Sequence, residues 1–186
     1  MSCVRTVRRD ERGTAIVEMA VCASLLMVLL FGIIDFGMTM SNYIAVREGV
    51  AAAARSASVA NFGTNSSCTQ NNLTATSGSV TTDMSDLVCL VKQKIGLNAA
   101  NLYVAIRFDP SSTSYPAGTS APPVGNGIIV CAAYKNSTVT GMFPMLNNTP
   151  LKAKVDMRIE TASGNAENQV SESPDPTGQS WSWCTP

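Results

Sequence analysis

The chain has 186 residues, thirteen basic and thirteen acidic side chains and no histidine, so its formal net charge is zero. That length suits one compact domain with an appended segment, and the balanced charge offers no basic face for nucleic acid. Without histidine there is no Ser/His or Cys/His nucleophile pair and no histidine metal site, and neither a P-loop nor a dinucleotide-binding glycine fingerprint occurs. We expect no cofactor, no bound metal and no enzymatic activity.

Charge is unevenly placed. Residues 1–13 carry Arg5, Arg8, Arg9 and Arg12 against Asp10 and Glu11, which leaves the remainder slightly acidic. An apolar run follows. From Met19 to Ile34 there is no charged side chain, and with residues 14–18 the run reaches about 21 residues, roughly 31 Å as a helix, matching the hydrocarbon thickness of a bilayer. We read residues 14–36 as a transmembrane helix in contact with lipid and residues 1–13 as a cytoplasmic leader. The arginine-rich flank outweighs Arg47 and Arg55 on the far side, so the C-terminal part should be exported. A cleaved signal peptide shares the basic start and apolar centre. Against it, Glu18 interrupts the apolar start and no small-x-small site follows before Asp35. A carboxylate there costs on the order of 2.5–3.5 kcal/mol at a helix centre and less near an end, so it is normally retained for a reason.

The helix should continue beyond the span over residues 37–60. Phe36, Met40, Tyr43, Val50, Ala54 and Ala57 follow a three-and-four spacing, and no proline occurs before Pro110. Stop signals arrive at residues 61–63. Residues 61–82, rich in Asn, Ser, Thr and Gly, read as an irregular connection. A short helix is expected over 85–95, with Thr82, Asp83 and Ser85 as candidate caps. Leu87, Leu90, Val91, Lys94 and Ile95 form its repeat, and Gly96 its stop.

Three strands then alternate. Leu102, Val104, Ile106 and Phe108 alternate with Tyr103, Ala105, Arg107 and Asp109, and Ile128, Val130, Ala132 and Tyr134 with Ile129, Cys131, Ala133 and Lys135. The cleanest sets Ala153, Val155, Met157 and Ile159 against Lys152, Lys154, Asp156, Arg158 and Glu160. Between them lie a long loop at 110–126 and a second at 136–150. The tail from 163 is polar until Trp181 and Trp183, which would share a face as a strand and pack near Cys184.

Of six cysteines, Cys3 and Cys22 precede or lie in the span and are read as free, Cys22 as a small packing residue. Cys68, Cys89, Cys131 and Cys184 fall in the exported part, where four cysteines suggest two disulfides with three possible connectivities. We adopt Cys68 with Cys89 and Cys131 with Cys184. The fold class is α+β: a long transmembrane helix running into a small antiparallel sheet with one short helix and disulfides, residues 61–186 forming the exported domain.

The residues around the span carry a family resemblance. A basic segment ending in Gly13, followed by an apolar helix with Glu18 at the fifth position after it, resembles the processing site of type IV pilin-like proteins. In that class a membrane peptidase cuts after the glycine, here before Thr14. The stretch "IIDFGMTMSNYIAVREGVAAAARSA" resembles the segment following the span in TadE-like minor pseudopilins of the tight adherence (Flp-type) pilus system. The short major pilins have Glu-Tyr at the junction, whereas Met19 follows Glu18 here and the chain is far longer, which favours a minor component. The resemblance implies a prepilin peptidase, other pilins and pseudopilins, and an inner-membrane assembly platform as partners. It also implies that Glu18 pairs with the N-terminal amine of a neighbouring subunit. In an Asn/Thr-rich bacterial ectodomain the sequons at Asn65, Asn72, Asn136 and Asn147 are chance occurrences. The alternative is an uncleaved bitopic membrane protein whose disulfide-bonded domain binds a ligand or partner by itself.

Overall fold

The computed structural model describes residues 12–62, 68–75, 79–109, 124–141, 143–161, 169–173, 176, 178 and 180–185. The expected leader through residue 11, Cys3, Asn65 and residues 110–123 of the long loop lie outside the described residues. Helix α1, Arg12–Ser58, runs unbroken for 47 residues. Its first half is exposed all round, with Ile16, Val21, Leu25, Leu29 and Ile33 each more than half accessible. A core helix of a water-soluble fold buries such side chains; this one leaves almost all of the apolar stretch uncovered, and among the described residues it is the one helix long and apolar enough to cross a membrane, as in a single-pass membrane protein. Ser24 satisfies its hydroxyl within the helix by donating to the Val21 carbonyl at 2.8 Å.

Beyond the span α1 packs on the domain through Val46, Gly49, Val50, Ala53, Ala54 and Ala57. The expected apolar face is corrected at its lower end. Phe36 and Met40 point outward, 63% and 47% exposed, and Tyr43 is only half-buried. The inward positions there are Asp35, Thr39 and Asn42, because the neighbour at that height is a loop presenting polar atoms rather than the apolar sheet. The upper end stops in a Schellman arrangement. Asn61 N–H donates to Ser56 O at 2.9 Å and Ala60 N–H to Ala57 O at 3.0 Å, with Ala60 at φ 56°.

Helix α2, Thr82–Ile95, begins three residues earlier than its periodicity suggests. Its cap is Thr81, whose hydroxyl accepts from Met84 N–H, rather than any of the three expected residues. Gly96 ends it at φ 69°. Within α2 the lysines exchange roles: Lys94 is exposed, and Lys92 is 3% exposed.

The sheet has five strands: β1 Leu73–Ala75, β2 Leu102–Phe108, β3 Gly127–Lys135, β4 Pro150–Arg158 and β5 Val170–Glu172, in the order β1-β5-β2-β3-β4 with antiparallel pairing. Strand β3, between β2 and the edge strand β4, is covered on both faces. Ile128, Val130, Ala132 and Tyr134 join α1 and α2 in one apolar cluster, while Ile129, Cys131 and Ala133 join Trp181 and Cys184 in a second. Edge strand β4 turns Ala153, Val155 and Met157 to the helices and Lys154, Asp156 and Arg158 to solvent. Within the tail, residues 170–172 form β5, whereas the segment carrying Trp181 and Trp183 is a turn and not a strand. Ser180 and Trp181 have φ 50° and 59°, and this lays Trp181, 4% exposed, over the sheet. The molecule therefore has three layers: helices, sheet and C-terminal cover.

Candidate functional site

Gly13 and Thr14 begin the exposed part of α1, and Glu18 lies one turn further along. An i,i+4 relation places Thr14 and Glu18 on one face about 6 Å apart along the axis. All three are exposed, and Cys22, also exposed and free, continues the same face. A Cβ added at Gly13 would meet nothing within 4 Å. Packing within the fold therefore places no demand for glycine at this position.

The domain that follows the apolar half of α1 carries two disulfides among the described residues. Cys68 is bonded to Cys89, tying the connection after α1 to α2, and Cys131 to Cys184, tying the C-terminal cover to β3. Beside the first lies an open depression lined by Cys68, Cys89, Lys92, Leu97 and Ala99. Behind it is a polar centre that sequence reasoning missed. Lys92 Nζ lies 2.7 Å from Glu172 Oε1, both side chains being buried. The ammonium also donates to Thr69 O at 2.7 Å and Ala99 O at 3.2 Å. Glu172 accepts from Asn71 N–H at 2.6 Å through Oε1 and from Val104 N–H at 2.9 Å through Oε2. Burial pushes the Glu172 carboxyl above its ordinary value, opposed by Lys92 and the two amides. One ion pair thus joins the connection before β1, α2, β2 and β5. A lysine and a glutamate eighty residues apart in polar surroundings carry no signal that could have paired them, although Lys92 falls between the buried Val88 and Ile95 on α2.

Chemically this centre is saturated: its charges are spent on one another and on backbone groups, which fits a structural strut. Among the described residues no group of three or more His, Cys, Asp or Glu side chains is placed to hold a metal ion. The structure does not bring Glu18 to the disulfides or the strut; the first lies on the span and the others in the domain.

No curated protein and no solved structure matches this chain. The model of the TadE-like protein family matches residues 13–55, so the segment that opens at Gly13, includes Glu18 and contains the whole apolar run is TadE-like.

Proposed function

We propose that the chain is a minor pseudopilin acting in the biogenesis of an adhesive Flp-type pilus, processed by a prepilin peptidase between Gly13 and Thr14. The observation that carries this reading is the TadE-like match, which starts at Gly13. The open space around Gly13 supports it: a glycine that packing does not require is accounted for by the demand of an external enzyme. The arginines before Gly13 favour a cytoplasmic N-terminus in a bacterial inner membrane, with the disulfide-bonded domain exported. Partners on this reading are the peptidase, other pilins and pseudopilins, and the assembly platform. The role is structural, without catalysis.

Glu18 has the assembly task. A cut before Thr14 creates an ammonium one turn from Glu18, at a helix end that already favours a carboxylate. In a low-dielectric surround, matching that carboxylate to a neighbouring subunit's amine is far better than leaving either charge alone. Gly13→Leu should therefore leave the full-length form in the membrane. Glu18→Gln keeps the shape, so this variant should be inserted and cut yet fail to support piliation. Immunoblots of the processed form beside surface-pilus counts decide it. Normal piliation with the Gln variant as sole copy, or a chain still uncut in the presence of the complete secretion system, sinks the reading.

A further inference from the structure

The loop at residues 136–149 contains no charged side chain, and three contacts fix its height against α1. Thr140 donates its backbone N–H to Asp35 Oδ1 at 3.1 Å and its hydroxyl to Asp35 Oδ2. Asn136, 1% exposed, accepts from Asn42 Nδ2 at 3.0 Å and donates to Thr39 Oγ1 at 3.0 Å. The Phe143 ring lies 3.4 Å from a Cβ built on Gly32. Within the loop, Leu146 N–H donates to Phe143 O and Asn148 N–H to Asn136 O, which holds the tip as a compact turn.

Gly32 belongs to the span. About 20 residues counted from Gly13, at roughly 1.5 Å each, end the hydrocarbon near residues 33–34. The arginines before Gly13 oppose shifting the helix toward the exported side, which would draw them into the hydrocarbon and lower that limit. Phe143 is therefore level with the boundary between acyl chains and headgroups. Around it Val139 is 67% and Met145 90% exposed, apolar surface that continues the exposed surface of the span among the described residues. Lys135, exposed at the end of β3, stands at the loop's rim, where phosphate groups would meet it.

We infer that residues 136–149 are a second membrane contact, an uncharged loop resting in the acyl–headgroup boundary of the exported-side leaflet, with Val139, Phe143 and Met145 toward lipid. This rests on reading α1 as a span. The β3–β4 hairpin then stands on the membrane with its loop end down. Its other end, where Glu160 N–H and Thr161 N–H donate to Ser58 O, is roughly 34 Å further along the helix. Val124, 59% exposed beside Gly125 at that far end, is an apolar side chain held away from lipid.

The test uses the full-length chain reconstituted in phosphatidylcholine–phosphatidylglycerol vesicles, with p-benzoylphenylalanine replacing Leu26, Met145 or Val124 in three separate variants. After irradiation, lipid adducts are measured by mass spectrometry. Leu26 and Met145 should both give lipid adducts, Met145 about tenfold or more above Val124, as the partition of one large apolar side chain predicts. Adducts at Leu26 with Met145 at the Val124 level overturn the inference and leave the span intact. No adducts at Leu26 overturn the span, and the inference with it. Crosslinking of position 145 to a second copy of the chain instead of lipid also overturns it.

Discussion

Lys92 and Glu172 are each buried, and each is the other's counter-charge at 2.7 Å. Such a pair contributes little net stability over an apolar equivalent, but removing one member strands the other, at about 3–5 kcal/mol. Lys92→Met should cost about that much in urea unfolding of the detergent-solubilised chain; a loss within experimental error would mean that water reaches Glu172. The pair also has a pH signature. Glu172 holds its proton more tightly folded than unfolded, because burial outweighs the stabilisation by Lys92 and two amides. The folded state therefore binds more protons between the ordinary glutamate value and the raised one, and stability must fall as pH rises through that window and level off above it. Glu172→Gln removes the titration and should flatten the curve there. A wild type that gains stability on the Gln variant with rising pH in that window would reverse the sign and put Lys92 in control. None of this was legible in the chain. The three-and-four spacing admits Lys94 to the repeat and passes over Lys92, and only the position of Glu172 in the fold shows which lysine is inside.

At the scale of elements, α1 and α2 meet where a glycine lets them. A Cβ on Gly49 would lie 2.6 Å from Ile95 Cα and 2.7 Å from Ile95 N, backbone atoms that cannot rotate away. Gly37, on the same helix, has nothing within 4 Å. Ala gains up to about 1 kcal/mol over Gly in a helix interior, whereas overpacking costs about 1–3 kcal/mol. Gly37→Ala should accordingly be neutral or stabilising and Gly49→Ala destabilising, both read from the urea midpoint; equal effects would mean the helices separate freely. Ala60 supplies a second comparison. It sits in the left-handed region at the Schellman position, where a Cβ is penalised, so Ala60→Gly should raise stability by about 0.5–1 kcal/mol. The long helix and strands β2, β3 and β4 were legible because their periods run for seven residues or more. Strands β1 and β5 have three residues each, too few to show a period of two, and their pairing is set by partners far along the chain. The inward face of α1 near the membrane was missed for another reason: it is polar, and hydrophobic spacing cannot find a face whose function is to hydrogen-bond a loop. The Gly13–Glu18 pattern was visible because it is local.

At the scale of the whole molecule, the two disulfides secure different layers, and this makes their removal distinguishable. Cys68–Cys89 closes a separation of 21 residues and Cys131–Cys184 one of 53. Loop-closure entropy assigns them about 3 and about 4 kcal/mol respectively. The larger effect lies on the outer face. There the C-terminal segment covers Ala105, Ile129 and Ala133 with Trp181, whose indole N–H donates to Glu172 O at 2.9 Å. Lys154 Nζ also donates to Thr185 O, and Lys152 Nζ stands 5.4 Å from the Trp183 ring centre. Besides the disulfide, the buried indole and these rim contacts hold that layer among the described residues. The chain's two tryptophans are Trp181 and Trp183, so fluorescence excited selectively at tryptophan, past the absorption of the four tyrosines, reports on this layer alone. Cys131→Ala with Cys184→Ala should shift the emission to the red in the absence of denaturant, as the cover lifts while the helix–sheet core persists. Cys68→Ala with Cys89→Ala should lower the urea midpoint and leave the emission unchanged, because the bond it removes lies on the helix side of the sheet. An equal red shift in both double variants would mean that the layers unfold as one unit, and an unshifted spectrum in the first would mean that the indole alone holds the cover.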